Sequence, residues 1–231
     1  MNALNAWLDK LYETFIASGG YRFMLEGLRN TIVITLGALV IGVVIGAVLA
    51  IVKYYAEDTP GLKFLSWLCD VYITVIRGIP ITVLLLIFYL LILVSASDLT
   101  VAILAFGINS GAYMAELIRS GINAVDKGQM EAGRSLGMSK AQAMGKIILP
   151  QAVRYILPAI GNEFIALLKE TSVAGYVTIV DLTRAGNLVR NNTHDALNPL
   201  LLVALTYLTL VVLLTKLLNA VENHWEKTKK G

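Results

Sequence analysis

The chain has 231 residues, of which 57% are hydrophobic and 15% charged, and its formal net charge is +3. A soluble domain is about 45–50% apolar and about 25% charged, so apolar content this high, gathered into long runs, excludes a soluble enzyme domain and points to a chain that crosses a bilayer. Dispersed basic residues exclude a nucleic-acid face. The single Cys69 excludes an intrachain disulfide or a cysteine metal site, and His194 and His224 lie too far apart to form a ligand pair.

The chain opens on MNALNAWLDKLYETF, where Asp9 and Glu13 stand in the place of the apolar core that a cleavable signal peptide would need. Leu4, Leu8, Leu11 and Phe15 recur at helical spacing. Residues 1–26 therefore read as an amphipathic helix, lying on the membrane surface or packed on the spans.

Residues 27–223 read as a membrane domain. The first charge-free run, 31–52, is long enough to cross about 30 Å of hydrocarbon. Within it Gly42 and Gly46, four apart, offer a small-residue surface that a second helix can approach closely; general glycine richness of membrane helices is the plainer account. A polar break follows. The second run, 78–97, opens on Arg77-Gly78-Ile79-Pro80, and the third, 99–115, carries Asn109 and Ser110. After the hydrophilic stretch 119–154 comes the least apolar span, from about Ala152 to Val180. A polar loop, 181–198, leads to the fifth run, 199–215, and a charged tail, 224–231. The expected fold class is all-α: a polytopic bundle of transmembrane helices with about five spans.

Orientation follows from Lys and Arg asymmetry. With the N-terminus outside and the C-terminus in the cytoplasm, thirteen of the nineteen Lys and Arg fall on the inner side and five on the outer, while Lys169 stays within the fourth span. Residues 119–154 then form a cytoplasmic loop.

Ionisable residues within a span are expensive and mark candidate functional positions. Glu163 and Glu170 are seven apart, so on a helix they differ by only about 20° in direction and about 10 Å along the axis. Two carboxylates on one stripe suit an ammonium group. Asn162, Thr171 and Ser172 add hydrogen-bonding groups, with Asn109 on the third span. The competing reading is that either glutamate pairs with Lys169, Arg77 or Arg119 and only fixes packing. Pro158 interrupts the same span, as in the broken helices that line transporter cavities.

The cytoplasmic loop reads EAGRSLGMSKAQAMGKIILP from Glu131. Residues 131–135 and 139–146 are expected to form two short helices broken at Gly137, with Ser139 as the cap of the second. Glu131, Ala132 and Gly133 are followed by Gly137 and then by Ile147, Leu149 and Pro150. This spacing resembles the EAA loop of importer-type ABC permeases, in which Gly133 stands where the pattern has a second Ala. Arg77-Gly78-Ile79-Pro80, Gly161-Asn162-Glu163-Phe164 and Leu168-Lys169-Glu170-Thr171-Ser172 look like the polar amino acid uptake branch of that family, apart from Ile79 in place of a usual Thr.

The resemblance implies a permease subunit of a bacterial cytoplasmic (inner) membrane, multi-pass, that imports amino acids by alternating access, polar or cationic ones favoured. It implies that Glu131, Ala132, Gly133, Gly137, Ile147, Leu149 and Pro150 meet a cytoplasmic ATPase dimer. Further implied partners are a second permease copy or homologue and an extracytoplasmic solute-binding protein. ATP and Mg would be bound by the ATPase, with no cofactor or metal in this chain. No Walker loop, H-E-x-x-H or G-x-S-x-G motif occurs, so catalysis by this chain is not expected. The alternative is a secondary transporter or channel for small polar solutes, for which no inverted repeat is evident.

Overall fold

The computed structural model describes residues 3–57 and 59–227, and every regular element among them is helical. In chain order these are α1 (Ala3–Tyr12), α2 (Gly20–Ala56), α3 (Lys63–Gly78), α4 (Ile81–Ile87), α5 (Asp98–Asn123), α6 (Lys127–Ser135), α7 (Lys140–Ala143), α8 (Leu149–Glu170), α9 (Leu182–Thr193) and α10 (Asn198–Lys227). They divide between two compact units, each assembled from separated stretches of chain.

Among the described residues three helices are long and apolar enough to cross a bilayer: α2, α5 and α10, the last over Asn198–Asn223. The flanks of the Ile79-Pro80 break supply a fourth only if taken together as one span. This differs from five straight runs in three places. The run 78–97 is helical only over Ile81–Ile87 and a wider turn, Phe88–Ile92, too short to cross alone. The cause lies at Ile79, held extended (φ −96°, ψ 128°) by the proline that follows. Residues 63–78, passed over in the sequence, form an amphipathic helix that buries Cys69 and Ile73. The expected fourth span, α8, is long enough at 22 residues but too polar to qualify by composition.

The first unit comprises Met1–Ala38, Pro80–Phe106 and Ile165–Ala220. Its core gathers Met24, Leu182, Ala185, Val189 and Val203. The expected polar loop 181–198 is mostly helix α9. Asp181 caps it, accepting from the backbone N–H of Thr183 (2.9 Å) and Arg184 (3.2 Å). Leu182, Ala185, Gly186 and Val189 then form one buried face at helical spacing. Gly27 of α2 is packed against Asp181 and Ala185 so closely that a Cβ there would meet the Asp181 carbonyl at 2.7 Å.

The N-terminal segment is joined to the start of α10 in this unit. Trp7 Nε1 donates to Asn198 Oδ1 (3.0 Å), and Thr14 Oγ1 donates to Asp195 Oδ2 (2.9 Å). Asp195 also accepts from the backbone of Leu197 (3.1 Å) and Asn198 (3.2 Å) and from the Asn198 amide (2.6 Å). Leu4, Trp7 and Leu8 remain exposed. Helix α2 starts at Gly20, so the boundary expected at residue 26 falls inside it; helix α10 runs on into the expected tail, of which residues 228–231 lie outside the described residues.

Burial pushes the Asp195 carboxyl up, but its bonds from Asn198, Thr14 and Leu197 outweigh that and hold it below its ordinary value of 3.8. A depressed folded value contributes stability that is present above 3.8 and is lost as pH falls through the folded value. Asp195→Asn is therefore expected to unfold earlier than wild type at neutral pH, by about 1–3 kcal/mol for a buried charged acceptor. The gap should close as pH drops below 3.8. Thermal unfolding of the detergent-solubilised protein across pH checks this; a gap that does not change with pH would refute it.

The second unit comprises Leu39–Ile79, Gly107–Phe164 and Val221–Gly231. Here α2 packs against α5. A Cβ on Gly42 would lie 2.7 Å from Ser110 Oγ, and one on Gly46 would lie 2.4 Å from Met114 Cβ. The small-residue surface expected on the first run is thus used for close helix packing. Tyr72 of α3 ties in by donating to the Ile108 carbonyl (2.6 Å).

Candidate functional site

Glu163 lies in the second unit, on α8, half-buried. Its Oε1 accepts a hydrogen bond from Ser110 Oγ of α5 at 3.3 Å. Ser110 is fully buried and Asn109, beside it, is 4% exposed. Of the polar pair on the third run, Ser110 thus contacts Glu163, and Asn109 is buried beside Ser110 in the sequence. Gly42 makes room for Ser110, because any larger residue would drive into it. Asn162 is exposed next to Glu163. Of the cations weighed as structural partners, Arg119 bonds to Glu116 (2.6 Å) and Arg77 lies over the Tyr113 ring, 5.0 Å from its centre.

Glu170, the last residue of α8, belongs to the first unit and is half-buried. A turn of 3-10 helix, Thr171–Val177, follows. Thr171 is fully buried and donates to the Leu168 carbonyl (2.7 Å), so its hydroxyl proton is committed to the backbone. Ser172 lines an open cavity of about 530 Å³ together with Asp181, Thr183, Arg184, Asn187 and Asn191. Arg184 Nη1 donates to the Gly175 carbonyl (2.7 Å), which holds the turn against α9. Burial pushes the Asp181 carboxyl up, against the downward pull of the backbone N–H groups of Thr183 and Arg184. Sequence reasoning missed this cleft because 181–198 was read as a loop. The signal that would have found it is the cap-then-apolar pattern of Asp181, Leu182, Ala185, Gly186 and Val189.

The loop after α5 has the form expected. Asp126 Oδ1 caps α6 by accepting from Gly128 N (2.7 Å). The helix closes with bonds from Met138 N to the Gly133 carbonyl (3.1 Å) and from Gly137 N to the Arg134 carbonyl (3.0 Å), with Gly137 at φ +83°. That left-handed position is open to glycine and strained for other residues. Ser139 caps α7 in a reciprocal box with Gln142: Ser139 Oγ accepts from Gln142 N (3.2 Å), and Gln142 Oε1 accepts from Ser139 N (2.8 Å). Gly133 is buried against Ile147 and Ala143. Glu131, Ala132, Leu149 and Pro150 are exposed, Ile147 is half-buried, and Leu136 is 84% exposed at the tip. The loop therefore presents a small, preformed two-helix surface with an apolar residue at its point.

Residues 42–227 match the family described as "Binding-protein-dependent transport system inner membrane component". The arginine transport system permease protein ArtQ of Bacillus subtilis is 37% identical over 204 residues, covering 87% of this chain and 91% of that protein. A Rickettsia typhi chain that bears a provisional name as a glutamine transport permease, GlnP, is 35% identical over 87% of this chain and 91% of its own length. A crystal structure of an amino acid ABC transporter with histidines superposes with a TM-score of 0.81 at 38% identity, covering 88% of this chain and 94% of that one. With close packing of small-residue helices, a preformed loop pair and a half-buried carboxylate on α8, the chain belongs to the family of inner membrane components of binding-protein-dependent transport systems.

Proposed function

We propose that this chain is the permease subunit of an amino-acid importer that favours cationic substrates. The observation that carries the substrate class is Glu163, a half-buried carboxylate bonded to Ser110 within a membrane helix bundle, followed one heptad later by Glu170 on the same helix. An α-ammonium group is common to all amino acids and suits a carboxylate such as Glu163; a cationic side chain offers a carboxylate a second positive group to bind. The names of the relatives support amino acids as the class, with arginine and glutamine both among them.

In this reading the protein lies with its N-terminus outside and its C-terminus in the cytoplasm. A separate ATPase dimer binds the loop through Glu131, Ala132 and the exposed Leu136, and the hinge at Gly137 sets the angle between the two loop helices. A second permease copy or a homologue completes the pathway, and a solute-binding protein delivers the amino acid from outside. The test is competition uptake in cells with the gene present or deleted. Arginine, lysine and histidine are expected to compete best, with gene-dependent uptake of labelled arginine. Competition by neutral amino acids alone would refute the cationic preference.

A further inference from the structure

The second unit contains a contact between the loop and a membrane helix that neither the substrate residues nor the ATPase-facing residues account for. Lys140, the first residue of α7, places its Nζ 4.3 Å from the centre of the Tyr54 ring. The same Nζ lies 3.9 Å from Glu57 Oε2. Tyr54 is in the last turn of α2, and Glu57 follows that helix directly. The Tyr54 ring is also packed against the apolar cluster of Val125, Met144, Ile148, Ala152 and Ile156. Met144 and Ile148 belong to the turn that continues α7. The loop thus grips the end of α2 twice, by apolar packing on the ring and by a cation over its face.

We infer that Lys140 is a positioning residue that locks α7 to the C-terminal end of α2 through the Tyr54 ring, so that displacement of the loop is passed to α2. The inference rests on the reading that residues 131–150 bind the ATPase. Lys140 sits on a helix held by the Ser139–Gln142 box, so its backbone moves with the loop. A cation over an aromatic face keeps its attraction as the pair shifts together, which suits a contact that must survive a stroke. Further along α2, Gly42 lies against Ser110, the donor to Glu163, so movement of α2 reaches the carboxylate through packed neighbours within one unit.

The complete transporter, with its ATPase and binding protein in proteoliposomes, provides the test. The readout is amino acid transported per ATP hydrolysed, which a merely structural lysine would leave unchanged. Lys140→Ala is expected to lower that ratio about fivefold, the range for loss of one partly buried cation–ring contact. Lys140→Arg should restore most of it, because guanidinium also lies over aromatic faces. Tyr54→Leu should match Lys140→Ala, and the double variant should be no worse than either single one. An unchanged ratio in Lys140→Ala, or losses that simply multiply in the double variant, would overturn the inference. Co-purification separates the two levels. If the ATPase fails to co-purify with the wild-type permease, the ATPase-docking reading falls and the lock with it. If it co-purifies with wild type and Lys140→Ala alike while the ratio stays the same, only the lock falls.

Discussion

Glu163→Gln is expected to reduce uptake of a cationic amino acid by about 10- to 100-fold, the range that one lost charged hydrogen bond of about 1.5–3 kcal/mol would set. The substitution keeps the shape of the side chain and leaves an oxygen able to accept from Ser110 Oγ, now at 3.3 Å from the carboxylate. What is removed is the negative charge. A transported ammonium is the cationic group proposed here to bind that charge. Assembly is a separate matter: the amide packs as the acid does, so the variant permease should still co-purify with its ATPase. Uptake assays in proteoliposomes decide it. Wild-type kinetics in the variant would take Glu163 out of the path and leave it as a packing residue bonded to Ser110.

Gly46 should be the least tolerant position on α2. A Cβ there would sit 2.4 Å from Met114 Cβ and 2.8 Å from both the Met114 carbonyl carbon and the Ala115 nitrogen. Two of those three neighbours are backbone, so no rotamer change relieves the clash; α2 and α5 would have to separate. Gly46→Ala is expected to destabilise the protein by about 1–3 kcal/mol, as overpacking of a tight interior does. Gly46→Leu should abolish stable expression, because separation of the helices would also strip the packing around Gly42 and Ser110. Val44, two residues away and 58% exposed, provides the control, and Val44→Ala should melt close to wild type. The comparison is read from fluorescence-detected size-exclusion profiles after heating. Equal melting of Gly46→Ala and wild type would mean that the helices tolerate wider spacing.

These two positions differ in how legible they were. Glu163 stood out because a lone carboxylate in an apolar stretch is rare, and its helical phase with Glu170 follows from counting. Gly46 was legible, with Gly42, as part of a small-residue surface; nothing in its neighbours says which helix approaches it. The loop lies at the other extreme. Gly137 at φ +83° and the Ser139–Gln142 box are local devices, set by residues within four positions of each other, and the spacing from Glu131 to Pro150 made them readable.

Two segments depart from the sequence reading, each for its own physical reason. The break at Ile79-Pro80 was treated as the start of a span, although a proline restrains the residue before it and leaves a helix on each side. Residues 181–198 were read by polarity, and a helix with only one buried face is polar on average.

By itself the sequence determined what depends on composition and short-range spacing: a membrane-embedded all-helical chain, the capped loop pair, and carboxylates placed at helical intervals. Those features arise from hydropathy and backbone hydrogen bonding, which act within a few residues. Only the tertiary structure decided which side chains meet across distant segments: Ser110 with Glu163, Gly46 with Met114, Thr14 with Asp195, and Lys140 with the Tyr54 ring. Such pairings depend on which helices pack together and at what depth, and close packing is a property of the whole bundle that no local pattern encodes.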